Sequence, residues 1–116
     1  MAKRQEYLVK IDVHWPPDSD VSLREKLIIA ERERAAELVA DGTIERLWRV
    51  PGRWANWGVW RAYDADELHN AIASLPFFPW LSVTVHPLAH HPSDPGPVEF
   101  SVENDKVNLD RNLTDG

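Results

Sequence analysis

A glutamate among apolar helical neighbours, an asparagine in a strand and several tryptophans are the residues of this 116-residue chain that suit proton chemistry on carbon. Glu31 lies one turn after Leu27 and two turns before Leu38 in a predicted helix, so its side chain leaves the same face as both. An ionisable group turned toward a core is costly to desolvate. Burial raises a carboxylic acid's pKa, whereas a nearby cation lowers it. A carboxylate tuned this way can take a proton from one carbon and return it to another. The plainer alternative is an ion pair with Arg34 or Arg32 at the helix edge. The helix alone favours that alternative, because charged helical residues are mostly solvated or paired.

Asn56 is the second candidate. Asparagine is disfavoured inside strands, so its place early in one asks for a reason. Its amide could donate to an oxygen that becomes negative during reaction; a turn-proximal polar residue is the alternative. Trp54 and Trp80 offer large rings with one N–H donor each and could wall a pocket. Packing in a core or subunit interface is the commoner fate of tryptophan. Arg49 and Arg53 flank a hairpin turn, and either could clamp a substrate carboxylate with its planar fork, unless it is simply solvated. His86, His90 and His91 cluster late in the chain without the spacing of usual zinc sites. No phosphate loop or nucleophile motif is present, so neither metal nor nucleotide chemistry is expected.

Composition narrows the function classes. A hydrophobic share of 43% predicts a packed globule. The formal net charge of -6 argues against a nucleic-acid binder, yet a few local arginines can still recruit an anionic small molecule. The absence of cysteine excludes disulfides and thiolate chemistry. No signal peptide or membrane span is expected, and the cytoplasm is the default location.

These side chains must be carried by regular elements. Tyr7 to His14 alternates as a strand with one apolar face, stopped by Pro16-Pro17. Capping oxygens at Asp18-Ser19-Asp20 precede a helix from about Ser22 to about Ala40, with Leu23, Leu27, Ala30, Ala35 and Leu38 on one side and a stop at Asp41-Gly42. Strands over Thr43 to Val50 and Trp54 to Tyr63 enclose a Pro51-Gly52 turn and form a hairpin. A second helix follows Asp64 through Ala73, with Glu67 placed for a capping box, and a fourth strand runs from Trp80 to Leu88. The order strand, helix, strand, strand, helix, strand predicts an α+β, ferredoxin-like βαββαβ sandwich. One sheet face is then left without helices, which predicts a homo-oligomer, at least a dimer with sheets packed face to face (a dimeric α+β barrel). Residues 1–92 are read as this domain. Residues 93–116 are read as a polar tail or arm, in which Val98, Phe100 and Val102 alternate.

From about Tyr7 to Ser93 the chain resembles the muconolactone Δ-isomerase family. The resemblance rests on Asp12-Val13-His14, Glu31-Arg32, Ala36-Glu37-Leu38, Leu47-Trp48-Arg49-Val50, Gly52, Ala55-Asn56, Asp66-Glu67-Leu68-His69, Leu75-Pro76, Phe78-Pro79, Pro87-Leu88-Ala89 and His91-Pro92. It implies a ferredoxin-like fold, assembly of intertwined dimers up to decamers, and cofactor-free proton transfer that converts muconolactone to the 3-oxoadipate enol-lactone in aromatic catabolism. The family's catalytic glutamate falls on Glu31 and its asparagine on Asn56. Its catalytic tyrosine falls where this chain has Trp54, a further tyrosine falls on Trp80, and a lysine often found one turn before the glutamate aligns with Ile28. The expected activity is therefore that of an isomerase acting on a small anionic lactone, with Glu31, Asn56 and Trp54 catalytic and Trp80, Arg49 and Arg53 around the substrate. Two alternatives remain. One is a related enzyme acting on a methyl- or chloro-substituted muconolactone; the other is a non-catalytic binding protein of the same fold.

Overall fold

The computed structural model describes residues 3–15, 18 and 20–96. The Pro16-Pro17 stop and the alternation of Val98, Phe100 and Val102 lie outside the described residues. In chain order the elements are β1 (Gln5–Val13), α1 (Val21–Ala40), β2 (Ile44–Arg49), β3 (Ala55–Ala62), α2 (Ala65–Ala73), a single 3-10 turn (Phe78–Trp80) and β4 (Leu81–Leu88). The fourth strand thus starts one residue later than expected, because Phe78-Pro79-Trp80 closes a turn in which the Trp80 N–H donates to the Phe77 carbonyl at 2.8 Å. The four strands form one antiparallel sheet in the order β2-β3-β1-β4, which is the ferredoxin-like α+β arrangement. Among the described residues no helix is long and apolar enough to cross a membrane.

Alternation along β1 decides which face carries the core. Tyr7, Val9 and Ile11 are buried, while Leu8, Lys10 and Asp12 point to the other face. Directly paired residues share a face, so Trp60 and Gly58 on β3 lie on the core side through their pairing with Tyr7 and Val9. Leu38 of α1 and Leu68 and Ile72 of α2 close over them.

Capping fixes where both helices begin. Asp20 Oδ1 accepts from the Ser22 and Leu23 N–H groups at 2.7 and 3.4 Å. Asp64 Oδ1 accepts from the Glu67 N–H at 2.8 Å, and Glu67 Oε1 in return accepts from the Tyr63 N–H at 3.4 Å, one residue ahead of the cap. At the hairpin, Gly52 takes a φ of 75°, the left-handed region that glycine enters without strain.

The apolar stripe expected along α1 holds only in part. Leu38 is buried and Leu27, Ala30 and Ala35 are half-buried, but Leu23 is 49% exposed. The middle of α1 borders a cleft instead of the core: Ile28, Glu31 and Arg32 line it.

Gly58 marks a close approach between β3 and its neighbours. A Cβ there would lie 2.8 Å from Leu47 Cδ2, 3.0 Å from Trp60 Nε1 and 3.2 Å from the Arg46 carbonyl oxygen. Leucine can shift, but the buried indole and the backbone cannot do so freely. Gly58→Ala is therefore expected to destabilise the fold by roughly 1–3 kcal/mol through overpacking. Urea denaturation checks this, and an unchanged midpoint would show that β2 yields without cost.

Candidate active site

The cleft lies between the middle of α1, the end of β2 and the start of β3, with a volume of about 490 Å³. Glu31 enters it from the helix. Its Oε1 accepts a hydrogen bond from the Phe77 backbone N–H at 3.0 Å. Burial pushes the Glu31 carboxyl above the ordinary glutamate range, and the Phe77 N–H, which favours the ionised form, offsets part of that rise. The ion-pair alternative fails for Arg34, whose guanidinium is engaged by Glu37 Oε2 at 2.8 Å and by Ser74 Oγ at 2.9 Å.

Asn56 enters the same cleft from β3. Its pairing with Ile11, a buried core residue, places its side chain on the helix side of the sheet. Its Oδ1 is buried and has no hydrogen-bond partner among the described residues. A buried amide left this way is costly unless a further group meets it. Rotation about the last side-chain torsion exchanges its carbonyl and NH₂ ends, so either can face a ligand.

A bulge in β2 brings Arg49 to this side. The register slips between Ile44 and Arg46, so that Ile44 pairs with Trp60 while Arg49 pairs with Asn56. Without the extra residue, strict alternation from Ile44 would turn Arg49 to the opposite face. Bulges re-aim side chains in this way. Arg49 and Arg32 both line the cleft.

The remaining sequence candidates fall in different places. Trp54 lines the cleft but is 63% exposed, which places it at the rim. Arg53 sits exposed in the hairpin turn and is not part of the lining. Trp80 is also outside the lining; it packs against Trp15 at 5.7 Å between ring centroids, and Trp15 in turn meets Phe77 edge-on at 4.9 Å. This aromatic trio braces the chain segment whose N–H holds Glu31. The histidines lie elsewhere: His86 stacks on Trp57 at 6.4 Å on the face without helices, His90 Nε2 is 3.7 Å from Glu6 Oε1, and His91 Nδ1 accepts from the Ser93 N–H at 3.0 Å.

Two contributors carry no strong signal in the sequence. The Phe77 N–H is a backbone group, and nothing about its residue type announces it. Arg32 could be noticed only as the neighbour of Glu31, where helical periodicity alone points it elsewhere.

An acid of raised pKa, a neutral amide and a mostly apolar wall suit the transfer of a proton at an activated carbon. Comparison with known proteins points to the same chemistry. Residues 5–94 match the family described as muconolactone delta-isomerase. A muconolactone Δ-isomerase of Cupriavidus pinatubonensis is 37% identical over 87 residues, covering 75% of this chain and 95% of that protein. One of Rhodococcus opacus is 35% identical over 86 residues, covering 74% and 92%. A crystal structure of muconolactone isomerase superposes with a TM-score of 0.74 at 33% identity, covering 82% of this chain and 99% of that one. Glu31, Asn56, Arg32 and Arg49 all fall inside the matched stretch, and with agreement of this extent in sequence and fold the chain belongs to the muconolactone Δ-isomerase family.

Proposed function

We propose that the protein isomerises muconolactone, or a close lactone acid, to the enol-lactone by a 1,3 proton transfer without a cofactor. Glu31 removes the proton from the ring carbon that bears the carboxymethyl arm. That proton is acidified through the conjugated double bond and carbonyl, and its loss gives a dienolate. Asn56 donates from its amide to the lactone oxygen on which charge collects. Glu31, now protonated, returns the proton to the carbon next to the carbonyl, which moves the double bond and regenerates the carboxylate. One base serves both steps if the two carbons present the same ring face. Trp54 at the rim shields the ring, and Arg49 holds the carboxylate of the arm.

The observation that carries this reading is the half-buried Glu31 carboxyl, held by one backbone N–H and sharing a cleft with an amide whose oxygen has no hydrogen-bond partner among the described residues. The test is a panel of muconolactone and its methyl- and chloro-substituted forms, read by ultraviolet absorbance and by exchange of ring protons into heavy water. Turnover of the parent lactone supports the reading. Turnover confined to a chlorinated lactone, with release of chloride, reassigns the substrate, and binding without exchange reassigns the protein as non-catalytic.

We also propose that two copies pack their sheets face to face. The face away from the helices carries half-buried Leu8, Trp57 and Val59 and exposed Trp48 and Leu88, more apolar surface than an isolated face normally leaves to water. Sedimentation is expected to give a dimer or a larger assembly, and a single species at the 13.3 kDa chain mass would refute it.

A further inference from the structure

Two guanidinium groups border the cleft, and neither is engaged in an ion pair among the described residues. Arg32 follows Glu31 on α1. Arg49 stands opposite Asn56 in the sheet register. They are not held by the Glu31 carboxyl, on which burial acts first and the Phe77 N–H second. The chain as a whole carries -6, so this cleft, with two arginines and one carboxyl group in its lining, has the opposite sign to the molecule. The rest of its wall includes Val13, Ile28, Leu47 and Phe77, which would otherwise suit a neutral ligand.

We infer that Arg32 is a specificity-determining residue that grips the ligand's carboxylate together with Arg49, Arg32 from the helix side and Arg49 from the sheet side. The inference rests on the lactone-acid reading above. Each arginine neighbours one working group, Arg32 the base and Arg49 the amide. A carboxylate held between them lays the attached ring between Glu31 and Asn56. A ligand lacking the anion loses this grip.

The experiment compares muconolactone with its side-chain carboxamide, a neutral molecule of nearly the same shape, on the native protein and on Arg32→Gln, Arg32→Lys and Arg49→Gln. The native protein is expected to favour the acid strongly. Arg32→Gln should raise KM for the acid on the order of tenfold, the loss of one charge-assisted hydrogen-bonded contact, and leave KM for the carboxamide unchanged. Arg32→Lys should recover part of the preference, since it restores charge without the planar fork. An acid-to-carboxamide preference that survives Arg32→Gln intact overturns the inference. Should the native protein turn over neither compound, the isomerase reading fails. The grip is then judged separately from the quenching of Trp54 at the cleft rim: tighter binding of acid than carboxamide, lost in Arg32→Gln, sustains it, and equal binding of the two refutes it.

Discussion

Glu31→Gln is expected to lower kcat by on the order of 10³-fold, the scale of a lost general base, while the fold holds or becomes slightly more stable. Glutamine keeps an oxygen that can accept the Phe77 N–H, so the hydrogen bond made at 3.0 Å in the native protein need not be lost. What disappears is the capacity to carry a proton. The stability side follows from the sign of the pKa shift. Burial raises the folded-state pKa of Glu31 above its unfolded value, so the folded state binds this proton more tightly. That contribution is fully present below the unfolded pKa and is lost as pH rises through the folded one. At neutral pH the ionised carboxylate is therefore a burden on the fold, which glutamine does not carry. Melting temperatures should be similar for the two proteins near pH 4, with the variant gaining on the native chain toward pH 7. The same shift sets the activity profile. The base must be ionised, so kcat/KM climbs with pH through a midpoint above the ordinary glutamate value of about 4.3. A variant that keeps most of its turnover, or a native acid limb centred below that value, would remove Glu31 from the mechanism.

The parts of this site that were legible in the sequence are those set by local chemistry. Alternation along Tyr7 to Val13 gave the buried face of β1, and Asp20 and Asp64 marked the starts of the helices because their carboxylates have backbone donors to satisfy. Glu31 stood out because a carboxylate in an apolar stripe conflicts with its surroundings, and such conflicts gather at working sites. The parts that escaped depend on tertiary placement. Arg49 and Arg53 are equivalent as residues beside a turn, and only the slip between Ile44 and Arg46 turns Arg49 toward the cleft. Trp80 has the size of a pocket wall, but it lies in a 3-10 turn against Trp15, outside the lining of the cleft. Leu23 follows the helical period of the core stripe, yet the core does not extend that far along α1. Periodicity shows which face a side chain occupies, and not whether another element is there to meet it.

Asn56 provides the complementary prediction, and its two substitutions separate donation from packing. Asn56→Ala should cost about 10²–10³-fold in kcat, the range for loss of one donor to a developing oxyanion. Because the native amide oxygen is buried without a partner among the described residues, removing the amide also removes a polar burden. Alanine is thus expected to leave stability near native, the cavity it opens offsetting the relief. Asn56→Asp keeps the size and places a second carboxylate in the cleft with Glu31. Two like charges there raise the pKa of at least one of them, so the acid limb of kcat/KM should move to higher pH. Turnover should fall further than in Asn56→Ala, because an anion now faces the oxygen that must become negative. Steady-state rates across pH measure both effects. Equal activity of Asn56→Asp and the native protein at neutral pH would mean that this amide makes no contact with the charged intermediate, and that the oxygen is stabilised from another side of the cleft.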